Sequence, residues 1–467
     1  MAPGGIRADT YETARHVRLT FSLRLSMLRE LTGRRVTPPP AGPAARPYVL
    51  YVVAVLAGIS FLNALDQTVL PAVAANIQAE FSLSDAQIGT LVSAFGIAIA
   101  LAAMPLGYWA DRGTRRTIIG LGIAVWSVAT LATGLTHSFP QMLAARTVLG
   151  VGEASSQPTG ASLIGDYVSK RARGRALAAI ISAAGLGFGG GFIVGGVVGL
   201  HFGWRWVFYV AAAPGLLLAL LAFNLREPLR GAAESRGPKV AVARDAGLRA
   251  FARLLRIRSY AAVLVAAGCT FFGIAVFNLV PLYVHRRFGL NIAQAGTLVG
   301  IPTLIGIVVG TPLGGWLVDW RGRRSPRAAA EVGLVGLLLT GVATVIQLTS
   351  TSVPVFAAAG LAAVLFSSTA ILASAVVFQN VIQPSLRASA VSMNLTCGRL
   401  FGALGPLAVG LVSDLAGRNL GLSLLLILPP VYLVGAGCYA LALASMKRDV
   451  EIMEETWAQR DAPPVVA

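Results

Sequence analysis

Charge is what this sequence has least of. Only 12% of its 467 residues are Asp, Glu, Lys or Arg, and 55% are hydrophobic. Soluble domains carry about twice that charge. The balance excludes a soluble multidomain chain and implies a protein of the lipid bilayer. Cysteine is nearly absent. Cys269, Cys397 and Cys438 lie far apart within apolar runs, without the CxxC or CxxH spacing of a metal or redox centre, so they are read as packing residues and no metal site is expected. Histidine is equally sparse, and His16, His137, His201 and His285 do not cluster with carboxylates in any catalytic pattern. No enzyme constellation is legible. A cleavable signal peptide is not expected either, because the first long apolar run begins near Tyr48, behind a basic, polar leader.

What is present is long apolar runs punctuated by arginine. The net charge of +18 would suit nucleic acid if it were gathered on a polar folded face. Here it separates hydrophobic segments, so nucleic acid is not an expected partner. Twelve such runs are read near 48–72, 87–110, 117–136, 140–163, 173–200, 205–223, 259–284, 293–318, 329–349, 354–381, 388–413 and 420–444, each about the length that crosses a bilayer as a helix. Basic residues collect on alternate connections. They are Arg112, Arg115 and Arg116; Lys170, Arg171, Arg173 and Arg175; nine Lys/Arg from Arg226 to Arg258; and Arg321, Arg323, Arg324 and Arg327, with eight more arginines in the leader 1–46. The other connections hold Arg205, Arg286, Arg287 and Arg418. That asymmetry implies cytoplasmic termini and an inner-membrane location.

The expected organisation is a basic leader over 1–46, a six-helix bundle over 47–224, a linker over 225–258, a second six-helix bundle over 259–445 and a tail over 446–467. In the linker, Leu248, Phe251, Leu254 and Leu255 alternate with Arg249, Arg253 and Arg256, a pattern that suits either a basic amphipathic surface helix or a solvated tether. The two bundles repeat. "AQIGTLV" at 86–92 returns as "AQAGTLV" at 293–299, and "PLG" at 105–107 returns at 312–314, both at an offset of 207. One residue later in register, Asp111 matches Asp319, and Arg115-Arg116 match Arg323-Arg324. A duplicated six-helix unit with a site between its copies is a transporter architecture.

These loops resemble the major facilitator superfamily. "GYWADRGTRR" is similar to its signature between the second and third helices, with Gly107 four residues before Asp111; "GWLVDWRGRR" is the second copy. The resemblance implies an all-α membrane fold of twelve helices in two pseudo-symmetric halves, and conformational gating by Gly107, Asp111, Arg112, Arg115, Arg116, Asp319, Arg323 and Arg324. Asp111 is expected near the positive N-terminal end of the eleventh helix. Within the superfamily, "FLNALDQ" at 61–67, "ARTVLGVGEAS" at 145–155 and "GWRWVFYVAAAPGLLLALLAFNLREP" at 203–228 resemble bacterial members of the Spinster family, with the organic anion:cation symporters as the nearest rival branch. Gln67 stands where Spinster-like chains usually carry Arg.

The intramembrane charges are the candidate site. Arg146 and Glu153 sit in one helix almost two turns apart, too far to pair directly. Asp66, beside Asn63 and Gln67 in the first helix, is expected to join them. The expected roles are proton coupling for Asp66 and Glu153, and anchoring of an anionic headgroup for Arg146; a permanent ion-pair triad that only fixes packing is the alternative. Asn278, Gln379, Asn394 and Arg399 are the candidates of the second half. A charged first half facing an apolar second half suits an amphiphile, and the Spinster resemblance implies a lysophospholipid or sphingoid lipid. The rival readings are a polyspecific drug:proton antiporter, an organic-anion:proton symporter and, from another class, an integral membrane enzyme. No cofactor beyond the proton gradient is expected, and a monomer is implied by the family. The glycine-rich stretches "GLGFGGGFIVGG" at 185–196 and "GRLFGALGP" at 398–406 predict close, slidable helix contacts.

Overall fold

A computed structural model describes residues 45–168, 170–227, 248–325, 327–383 and 386–461. Residues 1–44 of the leader and the first part of the linker lie outside the described residues. The described residues form sixteen helices: α1 (Ala45–Ala72), α2 (Ala74–Phe81), α3 (Asp85–Arg112), α4 (Arg115–Gly134), α5 (Phe139–Glu153), α6 (Ser156–Tyr167), α7 (Lys170–Phe202), α8 (Trp204–Phe223), α9 (Leu248–Leu255), α10 (Arg258–Phe277), α11 (Val280–Phe288), α12 (Ile292–Gly322), α13 (Ala328–Thr349), α14 (Val353–Val381), α15 (Arg387–Leu415) and α16 (Leu420–Asp461). Eleven are long and apolar enough to cross a membrane. The twelfth span, read from sequence as one run over 140–163, is broken into α5 and α6 at Ala154–Ser155.

Sequence explains the break. Pro158 has no amide hydrogen to offer the carbonyl of Ala154, one turn earlier. The hydroxyls of Ser155 and Ser156 turn back onto the carbonyls of Gly152 and Glu153, both at 2.9 Å, satisfying backbone acceptors that the bilayer cannot. Two further spans break in register with the sequence repeat. The first divides at Val73, after Pro71, and the seventh divides at Asn278–Leu279, before Pro281.

Small residues set the contacts between the halves. On α7, Gly187 and Gly191 lie against the carbonyls of Phe61 and Leu65 of α1, while Gly189 and Gly196 lie against those of Gly300 and Ile292 of α12. The helix thus has a glycine face toward each half. A Cβ at either face would meet backbone, which cannot yield as a flexible side chain can. The antiparallel pair α3 and α15 is similar: Gly89 meets Pro406, Gly96 meets Ala403, and Gly410 meets Asp85.

The two ends of the bundle differ. The basic end carries the arginine-rich connections. At the other, far end the halves are joined by polar contacts. Both carboxylate oxygens of Asp414 in α15 accept from the backbone N–H groups of Asp85 and Ala86 at the start of α3, at 2.9 and 3.0 Å, an inter-half cap on a helix N-terminus. Arg286 donates to both oxygens of Asp85 at 2.6 and 2.9 Å and to Gln78 at 2.6 Å, and Ser413 donates to Asp85 at 2.6 Å. The linker residues 248–255 form α9, with Leu254 buried and Leu255 exposed.

Candidate functional site

Three helices bring the intramembrane charges together. Asp66 on α1, and Arg146 and Glu153 on α5, are 1%, 1% and 2% exposed. Each lies within electrostatic reach of the other two. Arg399, half-buried on α15, reaches Glu153 from the opposite half. The sequence expectation of a charged cluster thus gains a fourth member from the second half.

The cluster is close but unpaired. No ion pair forms within it among the described residues. The Thr130 hydroxyl donates to Asp66 Oδ2 at 3.3 Å, leaving Oδ1 without a partner. Both oxygens of Glu153 and the Nε and Nη1 atoms of Arg146 likewise have none. The Arg146 guanidinium lies over the Phe95 ring, 4.7 Å from its centroid, which offsets part of its desolvation by a cation–π contact. A buried triad built only to fix packing closes its hydrogen bonds, because each unpaired buried charge costs several kcal/mol. This one leaves them open.

The remaining candidates divide. Gln67 donates to Asn63 Oδ1 at 3.0 Å, and Asn63 stands beside Glu153. Asn278 caps the break between α10 and α11, donating to the Ala275 carbonyl at 3.2 Å while its own Oδ1 is buried and unpartnered. Gln379 is exposed on α14. A cavity of about 140 Å3 lies between α7 and the second half, walled by Phe188 of the first half and by Ile274, Phe277, Ile307 and Leu428, with Gln347 among its polar members.

Among the expected gating residues, the side chains of Asp111 and Arg112 lie outside the described residues. Arg115, 2% exposed, pairs with Asp166 and, at 2.9 Å, with Glu227, all within the first half. Arg116 joins the same corner, its backbone N–H donating to Glu227 at 3.2 Å. Gly107 is partly buried, and Asp319 and Arg323 are exposed; Arg324, also exposed, lies over Trp320 at 5.5 Å, next to the Trp316–Trp320 stack.

Sequence reading missed Thr130, Phe95, and the partners Asp85–Arg286 and Arg115–Asp166. "LSDAQ" is legible as a helix start, and Ser84 and Gln87 do form a capping box. Its Asp85 therefore looks like an ordinary first-turn acid, and nothing nearby reveals a partner 201 residues away. Arg205 and Arg286, which interrupt the charge asymmetry of the connections, are both neutralised, by Glu80 at 2.8 Å and by Asp85 at 2.6 Å.

Two six-helix copies closed around a buried, unpaired charge cluster define a secondary transporter. A family model for the Major Facilitator Superfamily matches residues 56–335, and the chain belongs to that superfamily. It is a transporter, not an enzyme. It is 30% identical to an MFS-type efflux pump of Mycolicibacterium smegmatis, over 85% of this chain and 93% of that protein. It is 29% identical to the sphingosine-1-phosphate transporter SPNS2 of Mus musculus, over 84% of this chain and 76% of that one. Among solved structures, it is similar to a bacterial homologue of the human lysosomal transporter Spinster in an inward-facing, unoccupied conformation, with a TM-score of 0.74 and 26% identity over 88% of this chain and 98% of the other.

Proposed function

We propose that this protein is a proton-coupled carrier that moves an amphiphile of the lysophospholipid or sphingoid class across the cytoplasmic membrane by alternating access, as a monomer with both termini in the cytoplasm. The observation that carries this reading is the open valence of Asp66, Arg146 and Glu153 at the centre of the bundle. Buried charges that lack partners are a cost to folding, and they are tolerated where a ligand or a proton completes them. Asp66 and Glu153 take the proton, Arg146 anchors the head, and Asn63, Gln67, Asn278, Gln379 and Arg399 line the path. No cofactor beyond the proton gradient is involved. The largely apolar cavity between α7 and the second half suits a hydrocarbon tail, and the likeness to SPNS2 points to the same class.

With the basic end facing the cytoplasm, the far-end joint is the closed periplasmic side. Among the described residues the hydrogen bonds between the halves gather toward the far end, which fits an inward-open state like that of the bacterial Spinster homologue. Gating by Gly107, Asp111, Arg112, Arg115, Arg116, Asp319, Arg323 and Arg324 then acts on the open side.

A polyspecific drug:proton antiporter is the second reading, favoured by the likeness to an efflux pump. Proteoliposomes with an interior pH dye separate the two. Lysolipids and sphingoid bases should move protons with the wild type and not with Glu153→Gln. Proton movement driven by cationic drugs instead transfers the assignment to antiport, and an unaltered Glu153→Gln removes Glu153 from coupling.

A further inference from the structure

Glu153 is placed between two arginines that belong to different halves. Arg146 shares its helix, and Arg399 comes from α15, which meets α3 through the Gly96–Ala403 contact one turn further along. Phe95, next to Gly96, supports Arg146, so the α3 turn that meets α15 also carries the ring under the first arginine. The charged groups within reach of Glu153 are Arg146 on its own helix, Asp66 from α1 and Arg399 from α15, with Asn63 as a neutral neighbour. For Arg399, Glu153 is the charge within reach. Two carboxylates and two guanidiniums sum to zero when all are ionised. An anion entering that balance leaves a buried excess negative charge, which is expensive unless a proton enters with it.

Resting on the reading of this cluster as the binding and coupling site, we propose that the substrate's head is an anion that bridges Arg146 and Arg399, taking the place of the Glu153 carboxylate, and that Glu153 binds one proton for each singly charged head. Glu153 is the internal stand-in for the substrate. Of the two carboxylates it is the one within reach of the guanidiniums of both halves, whereas the cation within reach of Asp66 is Arg146 of its own half. The displaced group is therefore the one whose charge is balanced by the same two guanidiniums that take the head, so a proton on it restores the balance when the anion enters. Because the two arginines come from opposite halves, an anion held by both also ties the halves together, so binding and closure are one event.

The test is calorimetric titration of the full chain in nanodiscs, in two buffers of different ionisation heat, which counts protons. The probes are lysophosphatidylglycerol, with one negative charge; a monoacylglycerol of the same chain length, with none; and glycerophosphoglycerol, the head without its tail. Lysophosphatidylglycerol should bind with uptake of about one proton, and more tightly as pH falls; the monoacylglycerol should bind with none. Arg399→Gln should weaken the charged lipid about tenfold or more while changing the neutral one by about twofold or less, with Arg399→Lys in between. Glu153→Gln should bind the charged lipid without proton uptake and independently of pH.

Lysophosphatidylglycerol binding without proton uptake, or equal losses for both lipids in Arg399→Gln at unchanged thermal stability, overturns the inference and leaves the carrier reading intact. Tight binding of glycerophosphoglycerol with the same proton uptake supports the bridge and replaces the lipid by a soluble anion. Failure of all three probes, with no lipid-driven proton flux in proteoliposomes, overturns both readings.

Discussion

Two buried charge clusters lie between or beside the halves, and they are built in opposite ways. At the far end, Asp85, Arg286, Gln78, Ser413 and Asp414 are knit together by hydrogen bonds of 2.6 to 3.0 Å. At the centre, Asp66, Arg146 and Glu153 approach one another without closing a single ion pair. A closed network is worth its desolvation only while it stays closed, which suits a joint that holds one conformation. An open one is unstable by itself and is completed by what enters, which suits a site. The same residue types are hydrogen-bonded to one another in one place and left open in the other; closure separates the joint from the proposed site.

The comparison breaks most sharply if the far-end joint is locked. Ser93 on α3 accepts from the backbone N–H of Leu407 on α15 at 3.1 Å. A Ser93→Cys, Leu407→Cys pair should oxidise to an inter-half disulfide, abolish lipid-driven flux and recover it on reduction; flux that persists when oxidised would mean this joint does not open during transport. Next comes Arg146→Gln. It should lower flux by about a hundredfold or more, an effect of about 3 kcal/mol, while thermal stability changes little, since a proton taken up by the facing carboxylates balances the lost cation. A large drop in melting temperature would instead make the central cluster structural.

The far-end counterpart should behave in reverse. Arg286→Gln strands Asp85, which is 1% exposed, and should cost about 3 kcal/mol of stability, read as a lower melting temperature and a shorter-lived closed far end by spin-label distances. Arg115→Gln sharpens the same point within one half, with a loss of about 3 kcal/mol expected because Asp166 and Glu227 lose their shared partner; a stable variant with normal flux would remove this corner from the architecture. The smallest effect is at Glu80. The Arg205 guanidinium and the Trp204 indole hold its carboxyl below the ordinary glutamate range. A depressed carboxyl stabilises above its unfolded value, and that contribution is lost as pH falls through its folded value. Glu80 is largely solvent-screened, so Glu80→Gln should flatten only slightly the acid side of the stability profile.

The architecture was legible because it rests on one-dimensional signals. Run length, alternate clustering of arginine and the repeat at an offset of 207 each reflect a constraint that acts on a segment by itself, namely the thickness of the bilayer and the side on which a loop stays. The identity of Asp66, Arg146 and Glu153 was legible for the same reason, since a charge in an apolar run is conspicuous wherever it ends up. The break at Ala154–Ser155 escaped the span count although Pro158 marks it, because hydropathy does not register a missing hydrogen-bond donor.

The sequence by itself determined that this chain crosses a membrane as two related halves and that three charges sit inside the first. Tertiary structure alone decided that those charges remain unpaired, that Arg399 meets them from the other half, and that Asp85, outwardly a helix-start residue, is the centre of the joint. Pairing depends on distances between helices hundreds of residues apart in the chain, and those distances follow from glycine contacts such as Gly89–Pro406 and Gly196–Ile292. Their partners become known only once the helices are packed.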